Sequence, residues 1–162
     1  MSRTTPASDP AHLADTHLGP HSRIGALARR LALVVTDQVQ DALRAEGLTE
    51  LRPVHLRVFA ALGPDARRVT QIADRLSTTK QTVGPIVDEL VTLGYLQRRV
   101  DSNDARAKLV ELTPAGRTAA EAALRAAEAI DRRLAERVGE ARLAECRTTL
   151  WELVESESTG NS

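Results

Sequence analysis

The chain has 162 residues with 22 basic and 22 acidic side chains, and aromatics make up only 2% of it, so Leu, Val, Ile and Ala must fill its core. No run approaches the roughly 20 apolar residues of a membrane span, and the N-terminus lacks the basic-then-apolar order of a signal peptide. With Cys146 as the single cysteine, no internal disulfide can form; together these features exclude a membrane partner and predict a cytoplasmic protein.

Zero net charge argues superficially against a nucleic-acid partner, but the charge is unevenly spread. Residues 52–117 carry 11 basic and 7 acidic side chains, a net +4, between flanks of −1 and −3.

Residues 1–21, with Pro6, Pro10, Gly19 and Pro20 among small polar residues, predict a flexible tail. Ser22 can cap a helix whose stripe runs Ile24, Leu27, Ala28, Leu31, Val34, Val35, Val39 and Ala42 and ends before Gly47. Pro53 suits the first position of a second helix, which carries Val54, Val58, Phe59 and Leu62 and stops at Gly63-Pro64. A short third helix begins near Thr70, where Val69, Ile72, Ala73 and Leu76 have the spacing of a buried stripe. Ser77-Thr78-Thr79 is a turn with hydroxyls available as caps. A fourth helix follows, with Val83, Ile86, Val87, Leu90 and Val91 on its apolar face and Gly94 at its end.

Gly84-Pro85 falls inside that helix. An interior proline costs about 3 kcal/mol, so two geometries are open: one helix bent at Pro85, or a helix that starts at Pro85 with Gly84 as cap. The apolar stripe through Val83 favours the single helix. Tyr95–Val100 and Ala107–Leu112 then alternate like strands around the turn cluster Asp101-Ser102-Asn103-Asp104, predicting a hairpin. Thr113-Pro114 opens a long Ala-, Leu- and Arg-rich helix to about Gly139. The last helix holds Leu143, Cys146, Leu150, Leu153 and Val154, so Cys146 reads as a buried, inert thiol.

Short helix, three-residue turn, second helix and charged hairpin make a helix-turn-helix with a wing. The DNA major groove admits one helix, and residues at that helix's N-terminus reach base edges. Lys80 and Gln81 are the candidate base readers, because lysine donates to guanine and glutamine pairs bidentately with adenine. Thr79 and Thr82 offer short hydroxyls for phosphate or base contacts. Thr70 and Gln71, opening the third helix, are placed to meet the DNA backbone. Arg98, Arg99, Arg106 and Lys108 charge the wing, and an arginine on a thin hairpin can enter a narrow minor groove. The chain's two lysines lie in these two elements.

From Leu48 to Gly116 the chain resembles the multiple-antibiotic-resistance regulator (MarR) family of winged-helix transcription factors. "LTELRPVHLRVFAAL", "VTQIADRL" and "TVGPIVDELVTLGYLQRR" carry the likeness, and "DSNDARAKLVELTPAG" looks like the family's wing signature. Helix order extends it from Ser22 to about Glu155. The resemblance implies a mainly α fold with a small β-hairpin wing. It also implies an N-terminal dimerisation helix over 22–47, a winged helix-turn-helix lobe over 48–113, C-terminal dimerisation helices over 114–155 and a flexible tail over 156–162. By the same resemblance Asp104 braces the wing and Arg106 contacts the minor groove. His55, with Val58 and Phe59 beside it, lies near the region where relatives bind small ligands. Two positions depart from the family pattern: Asn103 stands where many relatives carry arginine, and Gly84-Pro85 replaces a small or polar residue and an arginine that commonly touches DNA.

Other signals point nowhere. His12, His17 and His21 match no standard metal spacing. Asp88 and Glu89 diverge on a helix, and no nucleophile motif or phosphate loop occurs, so no enzyme and no cofactor are expected. The expected function is a homodimeric repressor on a pseudo-palindromic operator in double-stranded DNA, released by a small apolar or phenolic effector. The alternative is a helical dimer that acts through protein partners without specific DNA reading.

Overall fold

The computed structural model describes residues 18–101 and 104–159. Its elements are α1 (Ile24–Ala45), α2 (Pro53–Leu62), α3 (Val69–Arg75), α4 (Lys80–Thr92), β1 (Leu96–Asp101), β2 (Asp104–Leu112), α5 (Pro114–Val138) and α6 (Glu140–Thr159). The fold is mainly α with one antiparallel hairpin, as the sequence predicts. The first 17 residues with His12 and His17, Ser102 and Asn103 at the wing tip, and residues 160–162 lie outside the described residues. No helix among the described residues is long and apolar enough to cross a membrane.

Two compact units divide the chain between Val34 and Val35, within α1. In the first, Ser22 does not cap α1. Its hydroxyl instead accepts from the Gly19 N–H at 3.0 Å, closing a turn, and the Arg23 carbonyl takes the first helical N–H groups. Of the expected stripe, Ile24, Ala28 and Leu31 are exposed there and Leu27 and Val34 half-buried, and Leu33 beside it is exposed too, so this half of the helix is only partly covered.

In the second unit the core falls in two parts. Val58, Leu62, Ile72, Val83, Val87, Leu90, Leu96 and Val110 close the winged lobe. Val39 and Leu43 of α1 meet Ala122 and Ile130 of α5 in a smaller cluster. The hairpin pairs Leu96 with Leu112 and Val100 with Lys108, so Arg98, Val110 and Lys108 share one face and Arg99 and Glu111 the other. Arg67 exchanges both backbone hydrogen bonds with Val110, at 2.9 and 2.8 Å, adding a one-residue third strand.

α6 departs from the expected buried stripe. Leu143 and Leu150 are half-buried, while Cys146, Leu153 and Val154 are exposed, because within one chain α6 packs mainly against α5.

Candidate nucleic-acid interface

The turn between α3 and α4 is built by a backbone closure of α3 and a side-chain cap on α4. Ser77 takes a left-handed φ of 49°, which brings the Thr78 N–H back to the Ala73 carbonyl at 3.0 Å and closes α3. Thr79 then caps α4, its hydroxyl accepting the Thr82 N–H at 3.2 Å and lying 3.0 Å from the Thr82 hydroxyl. Lys80, Gln81 and Thr82 form an exposed first turn above the buried Val83 and Val87. α4 is a single helix with Pro85 in its interior, so the reading that starts it at Pro85 does not hold.

Arg68, Val69, Thr70, Lys80, Arg98, Arg106, Ala107, Lys108 and Val110 line one cleft of about 490 Å³, between the starts of α3 and α4 and one face of the wing. Five basic side chains from three elements therefore converge, although their sequence positions span 40 residues. Among the described residues Lys80, Arg106 and Lys108 have no carboxylate partner. Their charge is available to an anion.

The other expected wing cations are engaged. Arg98 lies 2.6 Å from Asp88 of α4, cancelling an acid beside the exposed turn. Arg99 sits on the opposite face and donates to Glu111 at 2.9 Å. Gln97 and then Arg99 hold the Glu111 carboxyl below its ordinary value. Gln71 uses its amide oxygen to accept the Arg68 N–H at 2.9 Å, so part of that side chain caps α3, whereas Thr70 is exposed in the cleft.

Asp104 accepts the Arg106 N–H at 3.1 Å, fixing the strand that carries Arg106. Its other oxygen is 3.3 Å from Arg68, which also donates to Asp101 at 2.8 and 3.3 Å. The Asp101 hydrogen bond is the largest cause raising the Arg68 guanidinium above its ordinary value. Arg68 thus ties the start of α3 to both acids of the hairpin. Sequence reasoning missed it, because the only local signal is a basic residue ahead of a short helix.

A second cavity, of about 420 Å³, lies between α1, α2 and α5. Val35, Val39, Pro53, Leu56, Phe59 and Leu124 are among its lining residues, and Thr36 is its only polar side chain. Of the three expected ligand residues it holds Phe59 alone. Val58 is wholly buried in the lobe's core. His55 is also fully buried and faces away, its Nδ1 accepting the Arg52 N–H at 3.1 Å and its Nε2 lying 3.4 Å from Glu89 of α4. The sequence placed His55 on α2, as the structure has it.

Residues 47–107 match the model of the MarR family. Among solved structures, a probable transcriptional regulator from Pseudomonas aeruginosa is 26% identical with a TM-score of 0.67, over 82% of this chain and 97% of its own. A MarR-family transcriptional regulator from Rhodococcus sp. RHA1 is 25% identical with a TM-score of 0.65, over 80% of this chain and 91% of its own. The chain is thus similar over most of its length to transcriptional regulators, one of them of the MarR family, and its residues 47–107 carry the MarR-family match. CouR from Rhodococcus jostii RHA1, solved bound to p-coumaroyl-CoA, is also 25% identical with a TM-score of 0.65, over 82% and 92% of the two chains. No curated protein matches by sequence. The family match takes in all of α2, α3, α4 and β1, and ends at Ala107 within the wing.

Proposed function

We propose that the protein is a homodimeric cytoplasmic repressor whose two lobes read the halves of a pseudo-palindromic operator and are released by a small aromatic effector. The observation that carries the DNA reading is the cleft in which Arg68, Lys80, Arg98, Arg106 and Lys108 converge beside an exposed, polar first turn of α4. Lys80 and Gln81 specify bases in the major groove, and Thr79, Thr82 and Thr70 support them at the phosphates. Arg106 enters the minor groove while Lys108 meets its phosphate wall. Arg98 and Arg99 act through Asp88 and Glu111. Half-site centres stand about 10–10.5 base pairs apart, one helical turn.

The effector belongs in the apolar cavity walled by Phe59, Leu56 and Val39. Its lining suits an aromatic or phenolic body, and CouR's p-coumaroyl-CoA carries such a group. Release requires that the effector favour a dimer geometry in which the two α4 helices no longer match the half-site spacing. The protein-partner alternative drew on zero net charge and on damage to α4; the concentrated cleft and the unbroken helix weaken both motives.

Fluorescence anisotropy tests the DNA reading. The duplex upstream of the protein's own gene and a pool of genomic fragments are compared with a scrambled duplex at two salt concentrations. A preference that survives the higher salt is expected. Arg106→Ala should lower affinity and reduce the salt slope by about two, one for each protomer, and Lys80→Ala should remove roughly 1–3 kcal/mol of base discrimination in each half-site. Equal, salt-erased binding across the whole pool would reject operator reading and favour the protein-partner function.

A further inference from the structure

Gly84 and Pro85 disfavour the helix that holds them, and the fold gains nothing from either. Pro85 is exposed, so it fills no core, yet an interior proline costs a helix about 3 kcal/mol. A Cβ added at Gly84 would meet nothing within 4 Å, and its φ is not left-handed, so neither packing nor backbone geometry demands glycine. Glycine there costs about 1 kcal/mol relative to alanine. Two adjacent, unfavourable residues, Pro85 exposed and Gly84 half-buried with open space where a Cβ would stand, call for a gain outside the chain.

Their place on α4 indicates where. Gln81, Pro85 and Asp88 are all exposed at i, i+4 and i+7, so they stand one above another on one face. Arg98 cancels the Asp88 charge from 2.6 Å, which leaves this face without net repulsion toward phosphates. It presents, in order, an amide, an apolar ring beside a position that lacks a side chain, and a neutralised acid. In the major groove the one apolar feature of the base pairs is the C5-methyl of thymine.

Resting on the operator reading above, we propose that Gly84-Pro85 forms an apolar notch that receives a thymine methyl, making Pro85 a specificity-determining residue. Gln81 and Pro85 are roughly 6 Å apart along the helix. Base pairs repeat about every 3.4 Å, so the thymine lies within about two steps of the base met by Gln81. Missing Cβ bulk at Gly84 lets the helix settle against the base edge, and the proline ring supplies the contact.

Deoxyuridine substitution tests this, since it removes the methyl group and leaves every hydrogen-bonding edge unchanged. A preferred duplex is first selected from a random pool with the wild-type chain, and each thymine is then replaced in turn. Replacement at one position per half-site should weaken wild-type binding roughly fourfold, and both together about fifteenfold, the scale of losing one buried methyl each time. Pro85→Ala, which relieves the helix and therefore folds, should bind both duplexes alike. If wild type selects a duplex but ignores every uracil, the methyl assignment fails while operator reading stands. If Pro85→Ala keeps the full uracil penalty, Pro85 is not the reader. Should no duplex be selected at all, operator reading and this inference fall together.

Discussion

Tyr95 joins three parts of the lobe at one residue. Its N–H closes α4 on the Leu90 carbonyl at 2.9 Å, with Gly94 at a φ of 80° making the turn. Its own carbonyl accepts from the Thr113 N–H at 3.0 Å and the Thr113 hydroxyl at 3.2 Å, anchoring the start of α5. A Cβ at Gly116 would sit 1.9 Å from that carbonyl oxygen, so only glycine fits. The phenol donates to Glu50 at 2.5 Å, tethering the segment before α2. Burial and then Glu50 push the Tyr95 hydroxyl up to about 12, while the Tyr95 hydrogen bond is the main cause holding Glu50 below its ordinary 4.5. Tyr95→Phe should therefore lower unfolding free energy by about 1 kcal/mol near neutral pH, less than is usual for a charged acceptor because Glu50 is exposed. Glu50's lowered value means its contribution is complete above 4.5 and is lost as pH falls through the folded value. Tyr95's raised value means its contribution is complete below 10.0 and fades toward about 12. Urea titrations of wild type and variant at acid, neutral and alkaline pH measure the difference. A difference as large in acid as at neutral pH would remove ionised Glu50 from the bond. Gly116 stood in the sequence as part of a motif, but its reason, an approach to a backbone 21 residues earlier, was not legible there.

At the scale of elements, much was legible because it is local. Helix periods, the Thr79 cap, Pro53 and Pro114 at helix starts, and the hairpin each depend on residues within a few positions of one another. The Asp101–Asp104 cluster marked the hairpin, although the strands run closer to its tip than the alternation suggested. What escaped was every relation across elements: the cleft, the pairing of Arg98 with Asp88, and above all the Arg68 brace to acids 33 and 36 positions later. If Arg68 works by aiming the wing, it acts through Arg106. Arg68→Ala and Arg106→Ala should then each lower operator affinity, and the double variant should lose less than the product of the single losses by more than about twofold, the scatter for independent sites. Arg68→Lys should rescue only part of the loss, since an ammonium cannot keep the guanidinium's forked geometry. Losses that simply multiply would make Arg68 a separate phosphate contact rather than a brace.

The whole molecule is where one chain explains itself least. α6 runs for 20 residues without a buried side chain among those described; Leu143 and Leu150 are half-buried, and Arg147 ties it to α5 at 2.9 Å from Asp131. Trp151, 64% exposed, stands beside exposed Leu153 and Val154. The first unit separately exposes Ile24, Leu31 and Leu33 on α1. Helices draw most of their stability from burying an apolar face, and clustered apolar exposure marks an interaction surface. A second copy of the chain is the occupant the proposed dimer supplies, and two half-sites in one operator require it. Trp151 is the chain's only tryptophan, so its fluorescence reports that contact directly. On dilution the emission should shift to the red along a single binding curve, and the melting temperature should fall with it, because dissociation removes the partner that stabilises the folded chain. Trp151→Asp should shift the dimer curve to higher protein concentration by at least a hundredfold, since truncating a buried aromatic anchor costs upward of about 2 kcal/mol and an unpaired carboxylate adds to it. Operator affinity should drop in parallel, as one lobe alone grips a single half-site. A red, water-like emission at every concentration would instead place Trp151 outside the interface, and operator binding that survived in a monomer would sever the link between pairing and reading.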